Sequence, residues 1–397
     1  MKRIAIVSDA ERSSQTSGVV TTLRKTKEEA ELLGHEVCII EAKPGSLKFS
    51  LPFYHEVKLQ LIVKKYVQQR LKDFDPDYIH IATEGTLGLA ARAFCLDPNK
   101  PKPFTTAFHT ECAAFISTNV QRSAKWMGFS ELKCDQFANS AAETTWRYLR
   151  WFHAPSSAVM VATLSLEKTL EAKGFRNIVS WSRGVDTDQF QPYGKDFSPY
   201  AELPRPVLVY MGRVAPEKNI DAFLSLDLPG SKVVVGDGPV LNELRARFPN
   251  ALFVGKKEGE ELGRHVAAGD IFVFPSMADT FGLVVLEALA CGVPVAAYPV
   301  TGPIDILKDK ACGSFSCLNG NLKEAVLQLL AMREVGQIDA VAARRYVSEN
   351  YSWKTATEQF CNNLQDNTEV AQRKTKRLGR VAAAINPWRL LRPRNGG

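Results

Sequence analysis

The residues best placed to do chemistry lie between Pro275 and Pro294, PSMADTFGLVVLEALACGVP, where Asp279 precedes a helix start and a second carboxylate, Glu287, falls inside that helix. The apolar run Ile271–Phe274 reads as a buried strand, and Pro275, Ser276 and Asp279 end it before an apolar helical stretch begins. The backbone N–H groups of Phe281, Gly282 and Leu283 then fall at the helix start, where unpaired donors and the positive end of the dipole favour a phosphate. Gly282 lets an anion approach closely. Glu287, about one turn further in, is placed to accept two hydrogen bonds from a ribose diol, while Asp279 is free to meet hydroxyl groups. Taken alone, the same pattern also fits an N-cap at Asp279 and a solvated helix position at Glu287.

Other segments supply complementary chemistry. In VYMGRVAPEKN (Val209–Asn219) a glycine follows a strand, and Arg213 and Lys218 stand five positions apart in a turn. An arginine fork and a lysine point charge suit a diphosphate, the alternative being a solvated surface turn. VVVGDGPV (Val233–Val240) ends a strand in Gly236 and Gly238, which permit close backbone approach or simply make a tight turn. Near the N-terminus, SDAERSSQTSGVVTTL follows the first strand with a small-residue loop in which Gly18 is the expected point of close approach. Its spacing does not match G-x-G-x-x-G, so a nicotinamide-binding fingerprint is not supported. His109, in AFHTE just past another strand, is either a site residue at the same rim or a satisfied core histidine.

These residues need elements to hold them. Short β-branched runs alternate with helical segments: KRIAIV, EVCII, YIHIA, FTTAF and AVMV in the first half, then VLVYM, KVVV, LFV, IFVF and PVAA in the second. That is a parallel-sheet rhythm twice over, predicting an α/β chain of two Rossmann-like doubly wound domains facing across a cleft. A length of 397 residues also exceeds what one core usually supports. The expected division is an N-terminal domain over 1–190, a linker over 191–205 and a C-terminal domain over 206–352. A closing helix over 353–369 returns to the N-terminal domain, and a basic tail follows over 370–397. The linker is placed by GVDTDQFQPYGKDFSPYAELPRP, rich in Pro, Asp and aromatic residues without helical periodicity. No run approaches a membrane span, and MKRIAIVSDA reads as a first strand rather than a signal peptide, so a cytoplasmic protein is expected. Eight scattered cysteines with no C-x-x-C pair indicate neither a zinc site nor a disulfide framework.

Charge is unevenly spread. Residues 370–397 carry eight cations, from Arg373 to Arg394, and no acid, which exceeds the chain's net charge of +7 and leaves the rest near neutrality. Val381, Ile385, Trp388, Leu390 and Leu391 interleave with them, a pattern that suits an anionic membrane surface, against the blander option of a solubilising tail. A second candidate is Val57–Phe74, read as a helix with Lys58, Lys65 and Lys72 on one side and Leu59, Ile62, Val63, Tyr66 and Leu71 on the other. Nucleic acid is not expected as a partner, because no recognised nucleic-acid fold accompanies the basic tail.

Taken in order, TSGVVTTL, AFHTE, APSSAVMVATLSLEKTLEAKGF, SRGVDTDQF, GRVAPEKN, VVGDGP, DTFGLVVLEALACGVPVAA and SENYSWKTATEQF span nearly the whole chain. The set resembles the retaining GT-B glycosyltransferases of family 4, in particular the branch holding lipid-directed mannosyltransferases and sulfolipid-type synthases. The resemblance implies a nucleotide-sugar donor as co-substrate, GDP-mannose as first choice or a UDP-hexose, with no further cofactor. By motif, Glu287 resembles the family's ribose ligand, Asp279, Phe281 and Gly282 its sugar contacts, and Arg213 and Lys218 its diphosphate clamp. His109 resembles the cleft histidine near the sugar, and Gly18 the loop glycine near the reacting groups. The family's motif usually reads Glu, seven residues, Glu, and here Asp279 takes the first place, one methylene shorter. The implied reaction is same-face displacement of a nucleoside diphosphate by an acceptor hydroxyl. No catalytic metal is expected, although Asp-x-Asp pairs of the kind that hold a divalent ion in transferases of another fold occur at Asp75/Asp77 and Asp186/Asp188. The expected acceptor is a lipid or glycolipid met at the inner face of a membrane. A soluble or polysaccharide-precursor acceptor with a UDP-sugar, and a non-catalytic sugar-nucleotide-binding module, are the alternatives.

Overall fold

The structure, a computed structural model, describes residues 1–10, 18–42, 48–51, 54–60, 63–109, 112–193, 198–277, 279–307 and 310–365. It divides into two units, one built from residues 1–181 with the described residues from Thr357, the other from Ser182–Ala356. The first division falls ahead of the segment expected as a linker. Within that segment Tyr200 and Arg205 are tied to the second unit by their polar groups: the Tyr200 hydroxyl meets His265 Nδ1 at 2.8 Å, and Arg205 pairs with the buried Asp270 at 2.8 Å.

The first unit is built on a six-stranded parallel sheet whose spatial order is Glu36–Ile40, Arg3–Val7, Tyr78–Ile81, Thr105–Ala107, Val159–Val161, Ile178–Ser180. Its central strand shows why the run Ile4–Val7 is apolar throughout, since Ala5 and Val7 enter the core on one face and Ile4 and Ile6 the core on the other. A sheet covered on both faces demands unbroken hydrophobicity rather than alternation. Helix residues 353–365 contribute Phe360 and Leu364 to one of these cores. Strand order turns about Arg3–Val7, so the switch point, where such sheets bind ligands, lies between Arg3–Val7 and Tyr78–Ile81.

The second unit repeats the scheme with Leu252–Gly255, Ser231–Val235, Val207–Met211, Ile271–Phe274, Val295–Ala297 and Ser316–Leu318, again all parallel. Numbered along the chain, these strands lie in the dinucleotide-fold order 3-2-1-4-5-6. Its switch point falls between Val207–Met211 and Ile271–Phe274, the two strands that lead into the GRVAPEKN turn and the Asp279 loop.

One sequence expectation fails. Val57–Phe74 is not a single helix: Tyr54–Gln60 is a strand paired antiparallel with Lys48–Leu51, and the helix begins only at Lys64. The cause is visible in Val57-Lys58-Leu59-Gln60, whose period-two alternation favours a strand. Lys58 therefore shares no helix face with Lys65 and Lys72, and the helix Lys64–Phe74 uses Val67 and Leu71 to cover the core. Ile62 and the tail 370–397 lie outside the described residues. No helix among the described residues is long and apolar enough to cross a membrane.

Candidate active site

In the second unit the carboxyl ends of the two switch-point strands bring the expected charged residues together. Lys218 Nζ lies 2.6 Å from Asp279 Oδ2, a contact across 61 residues of sequence, with both side chains largely withdrawn from solvent. Burial alone draws the Lys218 ammonium down, but the charge and hydrogen bond of Asp279 more than offset this, so its pKa moves up and it stays charged. Arg213 Nη1 pairs with Glu217 Oε1 at 2.6 Å, and the Tyr210 hydroxyl donates to the Arg213 carbonyl at 2.8 Å. Asn219, held in the left-handed region at φ 53°, donates from Nδ2 to the Pro275 carbonyl at 3.1 Å. Among the described residues an ion pair and a hydrogen bond thus fasten the GRVAPEKN turn to the loop after Phe274.

The helix that follows runs from Leu283 to Ala290, and Gly282 is its N-cap at φ 87°, with no side-chain cap. Asp279 is therefore not the N-cap. Its other oxygen accepts a long bond of 3.4 Å from the Phe281 N–H, which removes Phe281 from the expected set of open donors. The N–H groups of Gly282, Leu283 and Val284 make no hydrogen bond among the described residues, so the anion-accepting end is displaced one residue along the chain. Phe281 is 5% exposed, its ring set 6.1 Å from that of Tyr351. Glu287 sits on the partly exposed side of the helix, where desolvation first and the carboxylate of Asp186 second raise its pKa to about 7. It is not a freely solvated position. Carbonyls at this helix's C-terminal end and in the preceding chain are gathered by Arg344, which donates to Ala290 at 2.7 Å, Phe190 at 2.9 Å and Thr187 at 2.9 Å.

The glycines have specific backbone reasons. A Cβ on Gly236 would stand 1.9 Å from the Gly212 carbonyl, and one on Gly238 2.3 Å from that of Val214, so both allow two strand-end turns to touch. Gly302, which the sequence reading passed over, does the same for the Asp279 loop: its φ is 91°, and a Cβ would meet the Phe281 carbonyl at 2.5 Å. Its signal was the strand-then-TGP pattern after PVAA.

The first unit holds the remaining candidates. His109 stands two residues beyond Thr105–Ala107, partly buried, its ring centroid 5.6 Å from that of the buried Trp181 in an edge-on arrangement. Gly18 opens the helix Gly18–Leu32 and is exposed, and residues 11–17 before it lie outside the described set. At this sheet's switch point sequence reasoning missed Asp9, whose carboxylate accepts from Thr83 Oγ1 at 2.8 Å, Thr86 Oγ1 at 3.2 Å and the Leu87 amide at 2.9 Å. Burial raises its pKa against those bonds, and with its acceptors so occupied it anchors the helix Thr86–Cys95. Glu84 was missed as well. It pairs with the buried His153 Nε2 at 3.1 Å, while His153 Nδ1 meets Thr106 Oγ1 at 2.8 Å. Of the Asp-x-Asp pairs, Asp75 contacts Lys102, Asp77 accepts the Arg3 amide, and Asp186 closes a turn on the Asp188 and Gln189 amides.

Residues 16–189 match the model of Glycosyltransferase Family 4, and residues 205–332 that of Glycosyl transferases group 1. The GDP-mannose-dependent alpha-mannosyltransferase of Mycolicibacterium smegmatis is 32% identical over 74% of this chain and 75% of its own length. The chain belongs to glycosyltransferase family 4. A GDP-mannose-dependent alpha-mannosyltransferase of Mycobacterium tuberculosis is 28% identical over 91% of this glycosyltransferase and 96% of its own length. Sulfoquinovosyl transferase SQD2 of Arabidopsis thaliana is also 28% identical, over 80% of this chain, and the match spans 62% of SQD2. Among solved structures, sucrose-phosphate synthase of Thermosynechococcus elongatus superposes with a TM-score of 0.71 at 17% identity, over 92% of this chain and 99% of that one. HepE of Anabaena, in complex with UDP-glucose, superposes with a TM-score of 0.65 at 16% identity, over 92% and 100%. These likenesses establish the GT-B fold.

Proposed function

We propose that this glycosyltransferase moves a hexose, mannose from GDP-mannose in the first instance, to a lipid or glycolipid acceptor with retention of configuration. The observation that carries the reading is the cluster at the second sheet's switch point. Arg213, Lys218, the open N–H groups at Gly282 to Val284 and the carboxylate of Glu287 offer a diphosphate and a ribose the groups each requires. The donor choice is supported by relatives whose names specify GDP-mannose, and the acceptor class by SQD2 and by a phosphatidylinositol monomannoside mannosyltransferase of Mycolicibacterium smegmatis, 29% identical over 48% of this chain.

In the reaction proposed, the bond between the anomeric carbon and the diphosphate oxygen breaks while an acceptor hydroxyl attacks from the same face. The hydroxyl proton passes to the departing diphosphate. Negative charge grows on that diphosphate as the bond breaks, and Arg213 and Lys218 stabilise it there, an interaction stronger in the transition state than in the bound donor. Their partners Glu217 and Asp279 hold the two cations in place until the anion arrives. Because two fixed cations perform the charge neutralisation, turnover is expected to be unchanged by a chelator.

The test is release of nucleoside diphosphate from a panel of GDP- and UDP-sugars, with and without vesicles containing extracted lipids, with EDTA as a further arm and Glu287→Ala alongside. Turnover of GDP-mannose that requires the lipids, tolerates EDTA and disappears in the variant is the expected result. Lipid-independent turnover of a UDP-sugar would replace the acceptor and donor assignments, and nucleotide binding without turnover of any donor would leave a binding module.

A further inference from the structure

We propose that the helical hairpin formed by Cys112–Trp126 and Glu131–His153 docks the protein on an anionic lipid bilayer through its tip. This rests on the reading that the enzyme works at a lipid surface and assigns the docking to an element that carries neither the basic tail nor the donor-binding residues. The hairpin replaces the single helix that normally connects neighbouring parallel strands, here Thr105–Ala107 and Val159–Val161. Only the last part of its long second helix enters the core, through Trp146, Leu149, Phe152 and His153. The half before that buries just Cys134 and Ala138, and the first helix just Ala113 and Ala124.

The tip is apolar and open to solvent: Trp126 is 88% exposed, Met127 60%, Phe129 41% and Leu132 70%. Single exposed apolar residues are common, but four large ones within seven positions form a patch of the kind that marks an interaction surface. Its shape is built by hydrogen bonds. Gly128, at φ 81°, closes the first helix with Gly128 N–H to Lys125 and Phe129 N–H to Ala124, the paired bonds of a Schellman turn, and the Phe129 and Phe137 rings meet edge to face at 5.4 Å. An open apolar trough of about 590 Å³ between the helices, floored by Ile116, Val120, Met127 and Phe137, continues the patch.

Charge selects the occupant. Arg122, Lys125 and Lys133 surround the tip, all exposed and without an ion pair among the described residues. Of the two acids nearby, Asp135 accepts from Gln121 at 2.7 Å and Glu131 sits in the first turn of the second helix, where the dipole favours it. A tryptophan-led apolar tip ringed by unpaired cations matches the headgroup layer of an anionic bilayer, apolar groups inward and cations at the phosphates.

The experiment uses the full chain with extruded vesicles of phosphatidylcholine and phosphatidylglycerol at 7:3, with no donor or acceptor present, so its outcome is independent of whether lipid glycosyl transfer occurs. At 0.5 M NaCl, where attraction of the basic tail is screened, the double substitution Trp126→Ser with Leu132→Ser is expected to lower the partition coefficient at least tenfold without moving the thermal midpoint. A second readout keeps the apolar tip intact: brominated lipid should quench the wild-type tryptophan emission well beyond that of Trp126→Phe. Partition unchanged by the double substitution, or equal quenching in wild type and Trp126→Phe, would overturn the proposal. So would conversion of a dimer to a monomer with partition unaltered, which would make the tip a contact between two copies of this chain.

Discussion

At the residue scale, what distinguishes this site is that both of its cations already have a carboxylate partner. Lys218 is matched by Asp279 and Arg213 by Glu217, both at 2.6 Å, so the cations are oriented before an anion arrives. Removing either cation should therefore act on the chemical step. Arg213→Ala and Lys218→Ala are each expected to lower kcat by about 10²–10³-fold, about 2.7–4 kcal/mol in the barrier. Single-turnover rates at saturating donor check this, and an effect confined to KM would mean the pair serves ground-state binding only. Glu287 gives a prediction with a definite sign. Its carboxyl lies near 7 in the fold against an ordinary 4.5, so between those values the folded chain holds a proton that the unfolded chain has lost. Its contribution is fully present below 4.5 and falls away as pH rises to 7, by about 3 kcal/mol. Glu287→Gln is expected to raise the thermal midpoint at pH 8 and to have no effect near pH 4.5, as melting curves of both proteins across that range would show. Equal effects at both ends would place the carboxylate in a solvated setting. The same ionisation governs binding, since only the carboxylate accepts two hydrogen bonds from a ribose diol. Nucleotide affinity in the wild type should accordingly strengthen as pH rises through about 7.

At the element scale, the site depends on close contact between turns, and the glycines locate it. Gly302 lets the turn after Val295–Ala297 rest on the Asp279–Phe281 loop, with no room for a methyl group against the Phe281 carbonyl at 2.5 Å. Gly302→Ala should lower stability by about 1–3 kcal/mol through overpacking and a positive φ. It should also weaken nucleotide binding, because the backbone that must yield carries Asp279. Paired melting and titration experiments test this, and a stability loss with unchanged affinity would show that the loop relaxes elsewhere. Much of the architecture was legible beforehand. All ten runs became strands, and those at the centre of each sheet, such as Val207–Met211 and Ile271–Phe274, read as continuous hydrophobic segments because both of their faces are buried. What escaped was short or mixed in character. Ile178–Ser180 and Ser316–Leu318 have three residues each, and the Val57–Gln60 alternation was overruled by a lysine repeat that coincidentally matched a helical period. The charged pairs escaped for a different reason. Arg213, Lys218, Asp279 and Glu287 could be singled out from residue type, but the Lys218–Asp279 contact spans 61 residues and exists only because two strands distant in sequence are neighbours in the sheet. Asp9 and Glu84 carried no local pattern at all, since each is defined by what the fold places against it.

At the scale of the whole molecule, two segments are proposed to meet a bilayer, the basic tail and the hairpin tip, and their physics differs. The tail contributes eight cations, without which the remaining chain is near neutral, and cations at an anionic surface are each worth about 1 kcal/mol only within a Debye length. Attraction of that origin collapses with added salt. The hairpin tip works mainly by removing Trp126, Met127, Phe129 and Leu132 from water, and salt leaves that term in place. A chain ending at residue 369 should accordingly bind phosphatidylglycerol vesicles at least tenfold more weakly than the full chain at 20 mM NaCl, and the two should converge at 0.5 M. Its nucleotide affinity should be unchanged, because the groups proposed to bind the donor lie between Arg213 and Glu287. Equal binding at low salt would remove the tail from the membrane interaction. A gap that persists at 0.5 M would mean that Trp388 and its apolar neighbours insert beside the cations, making the tail a second apolar anchor rather than an electrostatic one.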